Sequence, residues 1–248
     1  MSALVIIPTY NERENAEAIV RAVFALPHPF HVLIVDDGSP DGTAQIIRDM
    51  QEKEFHDRLH LLERRGKLGL GTAYIAGFRW GLERGYGYFF EMDADFSHNP
   101  TDLLRLLAKC HDEGADVAIG SRYCRGGKVQ NWPADRIILS RGASLYTSLI
   151  LWMPVADPTA GFICYRRTVL ETMDLSKIRF IGYAFQIEMK YAAYSLGFRI
   201  REVPITFKDR EKGQSKMSLH IIREAMLGVI QIKWRGLLGK YKKREFKA

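Results

Sequence analysis

The sequence predicts an α/β protein built on a mostly parallel sheet flanked by helices on both faces. Three observations predict it. Short apolar runs of strand length alternate with helix-like segments through the first half of the chain. The spacing between runs leaves room for a crossover helix each time. Acidic or turn-forming residues stand where several of the runs end, and the carboxyl ends of strands are where open α/β sheets bind ligands.

Taken in order, the pattern predicts strands over Ala3–Pro8, His31–Asp36, Leu59–Arg64, Tyr88–Met92 and Asp116–Arg122. Helices are expected between them over Glu14–Leu26, Gly42–Phe55, Gly69–Glu83 and Pro100–Glu113. Pro8 is expected to stop the first strand, with Thr9 or Asn11 capping the helix that follows. Asn99-Pro100-Thr101-Asp102 suits the start of the fourth helix, with proline in its first turn. After about residue 125 the pattern changes. Gly126-Gly127 and Trp132-Pro133 mark an exposed loop. Ile137–Met153, Ala184–Leu196 and Leu219–Leu238 read as helices and Phe198–Phe207 as a strand. Lys208–Ser218 is polar and reads as a mobile loop between strand and helix, able to close over bound ligands. No internal repeat or low-complexity segment interrupts the chain.

At 248 residues, 47% hydrophobic and 26% charged, the composition is that of an ordinary globular protein, one large domain or a domain with an appendage. The expected division is a main domain over 1–218, including the 137–153 helix, and a C-terminal helix with a basic tail over 219–248. The opening run Ala3-Leu4-Val5-Ile6-Ile7-Pro8 is too short for a secretory signal and lacks a basic lead. Cys110, Cys124 and Cys164 are odd in number and scattered, so they are expected as reduced thiols in a cytoplasmic protein rather than a zinc site or disulfide framework. No run approaches the ~18 apolar residues of a membrane-spanning helix. The net charge is +7, but residues 199–248 hold 14 Lys and Arg against 5 Asp and Glu, a local balance of +9. The basic character therefore belongs to the C-terminal fifth and points to an anionic partner there. It sits beside apolar helices rather than in a stripe with stacking aromatics, which argues against nucleic acid.

The chemistry-bearing segments follow the strands. Asp93-Ala94-Asp95 comes directly after Tyr88–Met92. Side chains at i and i+2 on extended backbone point the same way. Two such carboxylates make a hard-oxygen site for Mg²⁺ or Mn²⁺ with positions left open for a substrate diphosphate. Pro8-Thr9-Tyr10-Asn11-Glu12 follows the first strand and would place Tyr10 and Glu12 where a base and ribose could lie. Asp36-Asp37 follows the second; two adjacent acids after an apolar strand are costly unless hydrogen-bonded, and one can accept from a ribose hydroxyl or a base N–H.

Those segments, with Gly69-Leu70-Gly71-Thr72-Ala73-Tyr74, resemble the family-2 glycosyltransferases of the GT-A (Rossmann-like) fold. Gly120-Ser121-Arg122-Tyr123, Asn131-Trp132-Pro133, Leu139-Ser140-Arg141-Gly142-Ala143, Asp157-Pro158-Thr159-Ala160-Gly161-Phe162 and Asp209–Met217 narrow the likeness to the dolichol-phosphate (polyprenol-phosphate) mannose synthases. The likeness runs from about residue 3 to residue 220. It implies inverting transfer of mannose from GDP-mannose to a polyprenyl (dolichyl) phosphate, giving polyprenyl-phosphate β-mannose. It implies Pro8, Tyr10, Glu12, Val35 and Asp37 around the nucleotide, and Asp93, Ala94 and Asp95 at the donor, with Asp93 and Asp95 on the metal. Arg210 and Lys216 are implied at the donor phosphates, Arg122 at the acceptor phosphate, and Asp95 and Arg122 as the catalytic pair. Arg141 is a further candidate for the acceptor phosphate. Ser97 departs from relatives that place a glutamine there as a further metal contact.

A lipid phosphate is already ionised near neutral pH, so such a reaction needs no general base. It needs the phosphate aimed at the anomeric carbon with water excluded. Arginine's planar fork suits that task. The lipid acceptor requires a membrane surface. Trp152, Trp234, Lys233, Arg235 and Lys240 suit C-terminal amphipathic interface helices on the cytoplasmic face of a membrane, and a membrane-anchoring subunit is a further candidate partner. Two alternatives stand beside this reading: UDP-glucose or another nucleotide sugar as donor to the same lipid, and a nucleotide-sugar binding protein without turnover.

Overall fold

The computed structural model describes residues 2–209 and 219–242. Its centre is a seven-stranded sheet in the order β3-β2-β1-β4-β7-β5-β8, formed by β1 (Ala3–Thr9), β2 (His31–Asp36), β3 (Leu59–Glu63), β4 (Tyr88–Glu91), β5 (Val117–Ser121), β7 (Ile163–Arg166) and β8 (Ile200–Pro204). All neighbours are parallel except β7, which runs antiparallel between β4 and β5. A short parallel pair, β6 (Lys128–Gln130) with β9 (Thr206–Lys208), lies beside it.

The helices are α1 (Arg13–Phe24), α2 (Thr43–Lys53), α3 (Leu70–Glu83), α4 (Asp102–His111), α5 (Ala134–Leu151), α6 (Arg167–Thr172), α7 (Tyr183–Ser195) and α8 (Leu219–Leu237). Alternation along β1 sorts them into two layers. Leu4 and Ile6 join Tyr74, Phe78, Phe89 and Phe185 in one buried cluster, under α3 and α7. Val5 and Ile7 join Ile19, Ile47, Phe90 and Leu103 in the other, under α1, α2 and α4. Val229, Ile232 and Tyr241 tie α8 and the residues after it into the first cluster.

Several expectations are corrected. Pro8 does not stop β1, which continues to Thr9 with Pro8 in register with Val35. Ile6 O accepts from Met92 N on the β4 side and Thr9 O accepts from Asp37 N on the β2 side. By alternation Pro8 faces the β4 side beyond that strand's end, where its missing N–H breaks no ladder bond. Neither Thr9 nor Asn11 caps α1: Thr9 Oγ1 donates to Asp36 instead, and Asn11 takes φ 60°, a left-handed conformation asparagine tolerates. The predicted strand over 198–207 is two strands, β8 and β9, separated at Ile205. The expected loop around Gly126–Pro133 contains β6, and β7 and α6 occupy a stretch in which no element is predicted.

Candidate active site

In a sheet of this order the topological switch lies between β1 and β4, and the crevice beyond their carboxyl ends is the expected binding place. Asp93 and Asp95 lie there, one and three residues beyond Met92, on either side of buried Ala94. Both carboxylates are partly exposed. Phe96 follows at φ 58°, a turn rare outside glycine and asparagine, and Ser97 N donates to Asp95 Oδ1 at 3.0 Å across it. Asp93 N donates to His98 Nδ1 at 3.4 Å, and that nitrogen lies 3.9 Å from Asp93 Oδ2. His98 is buried, stacked 4.8 Å from Phe162 and edge-on to Phe207.

The residues fit a hard divalent cation incompletely enclosed by protein. Two oxygen-donor acids stand at the strand end, and Ser97 Oγ beside them is buried without a hydrogen-bond partner. No cluster of three or more His, Cys, Asp or Glu forms a closed metal cage among the described residues.

The two acids after β2 divide their work. Asp36 is fully buried and accepts from Thr9 Oγ1 at 2.9 Å and from Ser39 N and Oγ at 2.8 and 2.6 Å, so it holds the β1 and β2 turns together. Asp37 is gripped by Arg64, whose Nε donates at 2.6 Å, and accepts from Leu68 N at 3.3 Å. Arg64 Nη1 also donates to Thr72 Oγ1 at 2.8 Å, coupling this corner to the first turn of α3. Sequence reading misses Arg64; its signal is the cation-rich Arg64-Arg65-Gly66-Lys67 turn facing the Asp36-Asp37 turn. Tyr10 is exposed, with Lys67 Nζ 4.9 Å above its ring. Glu12 accepts from Asn15 Nδ2 at 2.9 Å. Val35 has no exposed surface and belongs to the core under α3.

Arg122 leaves β5 and is nearly buried. Its backbone N donates to Asp157 Oδ2 at 3.0 Å, its Nε to the same oxygen at 2.7 Å and its Nη2 to Oδ1 at 2.7 Å. Nη2 also donates to Thr159 Oγ1 at 2.7 Å. Burial pushes the Asp157 carboxyl up, but the bonds and charge of Arg122 outweigh it and hold the group below the usual carboxylate range. Rings of Tyr123, Trp132 and Phe207 stand 5.1, 5.7 and 5.6 Å from the guanidinium carbon. The Tyr123 ring also lies 5.5 Å from the Arg141 guanidinium, and its hydroxyl donates to Ser140. The structure therefore brings Arg122 and Arg141 to one ring. Arg136 joins the same neighbourhood, 4.0 Å over Trp132 and bonded to Asp209. Arg210, Lys216 and most of the expected 208–218 loop lie outside the described residues.

A buried polar layer underlies both halves of this site. Glu91, two residues before Asp93, is fully buried, and its Oε2 accepts from Gln186 Nε2 at 2.5 Å. Lys190, also fully buried, donates to Ala160 O at 2.6 Å and Gln186 O at 2.9 Å. Burial pushes the Glu91 carboxyl up to about 7, against the charge of Lys190. Burial pushes the Lys190 ammonium down to about 7, against the charges of Glu91 and Asp157. Neither residue is singled out by the sequence, because one reads as part of a strand and the other as part of a helix.

Comparison with known proteins decides the family. The model described as glycosyl transferase family 2 matches residues 4–174. The chain belongs to glycosyl transferase family 2. Within curated proteins it is 52% identical over 237 residues to the polyprenol monophosphomannose synthase of Mycolicibacterium smegmatis, covering 96% of this chain and 89% of that one. It is 47% identical over 242 residues to the undecaprenyl-phosphate mannosyltransferase of Micrococcus luteus, covering 96% and 98%. Among solved structures, a mannosyltransferase from Pyrobaculum calidifontis in complex with GDP-Man and Mn²⁺ superposes with a TM-score of 0.60 at 15% identity, covering 96% of this chain and 74% of that one. The fold is that of the GT-A glycosyltransferases, and the expected glycosyltransferase class holds.

Proposed function

We propose that this family-2 glycosyltransferase transfers mannose from GDP-mannose to a polyprenyl phosphate, giving polyprenyl-phosphate mannose with inversion at the anomeric carbon. The observation that carries the reading is the pairing of a partly exposed carboxylate pair at the β4 end with a buried, doubly held arginine at the β5 end, in a chain half-identical to a polyprenol monophosphomannose synthase.

In this reading GDP lies over the β1 and β2 ends, against Pro8, Tyr10, Glu12 and Asp37. Ala94 and the acids on either side of it hold the donor, and Arg210 and Lys216 complete its phosphate contacts. Asp93 and Asp95 would hold Mg²⁺ or Mn²⁺, which when bound supplies Lewis-acid stabilisation of the departing diphosphate. Arg122 and Arg141 orient the acceptor phosphate. One of its oxygens forms the new bond to the anomeric carbon as the bond from that carbon to GDP breaks, and GDP leaves with the electron pair. No proton must be removed from the nucleophile, so none of these residues acts as a general base. The enclosure of Arg122 by Tyr123, Trp132 and Phe207 keeps water from competing.

The lipid is met at a membrane surface. No helix among the described residues is long and apolar enough to cross a membrane. Instead α5, its capping residue and α8 with its last turn expose Leu145, Leu149, Trp152, Leu227, Trp234 and Leu238, with Trp152 78% and Trp234 62% exposed. Lys233 lies 4.0 Å over the Trp152 ring, and Lys240 follows the last turn. Exposed tryptophans beside lysines suit peripheral docking at a cytoplasmic membrane face. Within 219–248, α8 packs on the 1–218 unit through Val229 and Ile232 while its exposed Leu227 and Trp234 face the membrane in this reading.

The test is product formation from a panel of nucleotide sugars with a polyprenyl phosphate, detergent and Mg²⁺ or Mn²⁺, scored by mass spectrometry of the lipid. A hexosyl phospholipid from GDP-mannose alone is the expected result. Product from UDP-glucose alone would overturn the donor, and nucleotide binding without any product would favour a binding protein or a missing anchoring subunit.

A further inference from the structure

The loop from Ala156 to Gly161 carries Asp157 and Thr159, the two residues that hold Arg122, yet it belongs to no strand or helix. It is pinned from both ends by carboxylate and ammonium groups outside it. At its start, Glu202 on β8 accepts from Ala156 N at 2.9 Å and from Asp157 N at 3.0 Å, one bond to each carboxylate oxygen. Towards its end, Lys190 on α7 donates to Ala160 O at 2.6 Å. A second bond from Lys190, to Gln186 O at 2.9 Å, steadies its ammonium over the helix.

A lysine without exposed surface is a costly way to satisfy one loop carbonyl, since burying an ammonium costs far more than burying a neutral donor. Its charge is spent on fixing the loop from the layer that also reaches Glu91 and hence the β4 end, through Gln186. Asp157 accepts from three atoms of Arg122 and from Thr159 Oγ1, so it cannot move without carrying the guanidinium with it.

We propose that Lys190 and Glu202 are positioning residues for the acceptor phosphate: by pinning the 156–161 loop at its two ends they set the direction of the Arg122 fork. The inference rests on Arg122 meeting that phosphate, as in the proposed function. A fork displaced by a fraction of an ångström would misaim the nucleophile while leaving the nucleotide pocket at the β1 and β2 ends untouched.

The experiment compares wild type, Lys190→Met and Glu202→Gln in the full chain. It measures GDP affinity by calorimetry, the kinetics of mannolipid formation with polyprenyl phosphate varied, and thermal melting. Both variants are expected to keep GDP affinity within about twofold while kcat/KM for the lipid falls by roughly tenfold or more. Should Lys190→Met fail to fold, Glu202→Gln decides alone, because Glu202 is only partly buried and its replacement is isosteric. Unchanged lipid kinetics in a folded Glu202→Gln, or equal losses in GDP affinity and lipid use, would overturn the inference. A wild type that transfers mannose to no polyprenyl phosphate would overturn the acceptor reading itself, and this inference with it.

Discussion

Arg122 and Asp157 meet through two parallel bonds of 2.7 Å, with the carboxylate fully buried and the guanidinium nearly so. Such a fork-to-fork pair fixes orientation as well as distance. Removing either partner strands a buried charge. Asp157→Ala is expected to cost about 3–5 kcal/mol in urea unfolding and to abolish use of the lipid acceptor. Arg122→Lys keeps the charge but loses the fork, so it should fold better than Arg122→Ala yet remain poor with acceptor. Equal losses of donor and acceptor affinity would count against the assignment of Arg122.

The Asp157 carboxyl also predicts acid sensitivity. Its folded value lies below its unfolded one, so the pair's contribution is fully present above the ordinary carboxylate value of ~3.9 and is lost as pH falls through the depressed folded value. Asp157→Asn should remove that part of the acid-unfolding slope, read by denaturation at a series of acidic pH values.

A second pH dependence sits at the far end of the sheet. His31 Nδ1 and His60 Nε2 are 3.5 Å apart in stacked rings, and Tyr86 OH lies 3.0 and 3.3 Å from them. Burial lowers both histidines below their ordinary value, His31 with help from the Arg58 charge and His60 with help from His31. The neutral form is the folded form, so stability is highest above the unfolded histidine pKa of ~6.5 and declines as pH falls below it. His60→Gln should flatten that decline in chemical denaturation between mildly alkaline and mildly acidic buffer; an unchanged slope would refute it.

Close packing between α3 and α7 depends on a missing side chain. A Cβ on Gly71 would stand 2.6 Å from the Phe185 ring and 2.9 Å from Phe180 O. Gly71→Ala is therefore expected to destabilise by about 1–3 kcal/mol, measured from the denaturant midpoint. Gly142, whose Cβ would meet nothing within 4 Å, supplies the control, because Gly142→Ala should not overpack.

Membrane docking is tested better by surface substitution than by truncation. Cutting the chain near Gly236 would also remove Tyr241, a core residue whose hydroxyl donates to buried Glu188 at 3.1 Å. The double substitution Trp152→Ser and Trp234→Ser touches only exposed rings. It should lower sedimentation with anionic liposomes while leaving GDP affinity unchanged; undiminished sedimentation would contradict the docking face.

The strand ends that carry Asp37, Asp93, Asp95 and Arg122 were legible because each follows a run buried on both faces. Strand β7 was not, since four residues inserted antiparallel between β4 and β5 leave no periodic mark and obtain their place from long-range pairing. The break at Ile205 was hidden because apolar residues recur on both sides of it, at Val203 and Phe207, and the change of partner strand is again a long-range event. Of the site, residue types and positions were readable but partners were not. Nothing local announces that Arg64 grips Asp37, that Arg122 is held by a residue 35 positions later, or that Lys190 reaches Ala160.

The carboxylate pair gives a sharp expectation for metal dependence. Asp93→Asn and Asp95→Asn should retain the fold, since both side chains are partly exposed and an asparagine at 95 can still accept from Ser97 N. Both should lose turnover that wild type shows with added Mn²⁺ or Mg²⁺. Wild-type activity persisting in excess chelator would rule the metal role out.

In the proposed reaction an already ionised lipid phosphate, aimed by arginine, is the nucleophile. The most direct measurement gives the enzyme GDP-mannose and divalent metal with either a polyprenyl phosphate or the corresponding free polyprenol, and follows mannolipid by mass spectrometry. Product from the phosphate and none from the alcohol is the predicted result. Mannose on the free alcohol at a comparable rate would overturn this, because transfer to an alcohol requires a proton to be removed from the nucleophile, a step the proposed reaction does not contain.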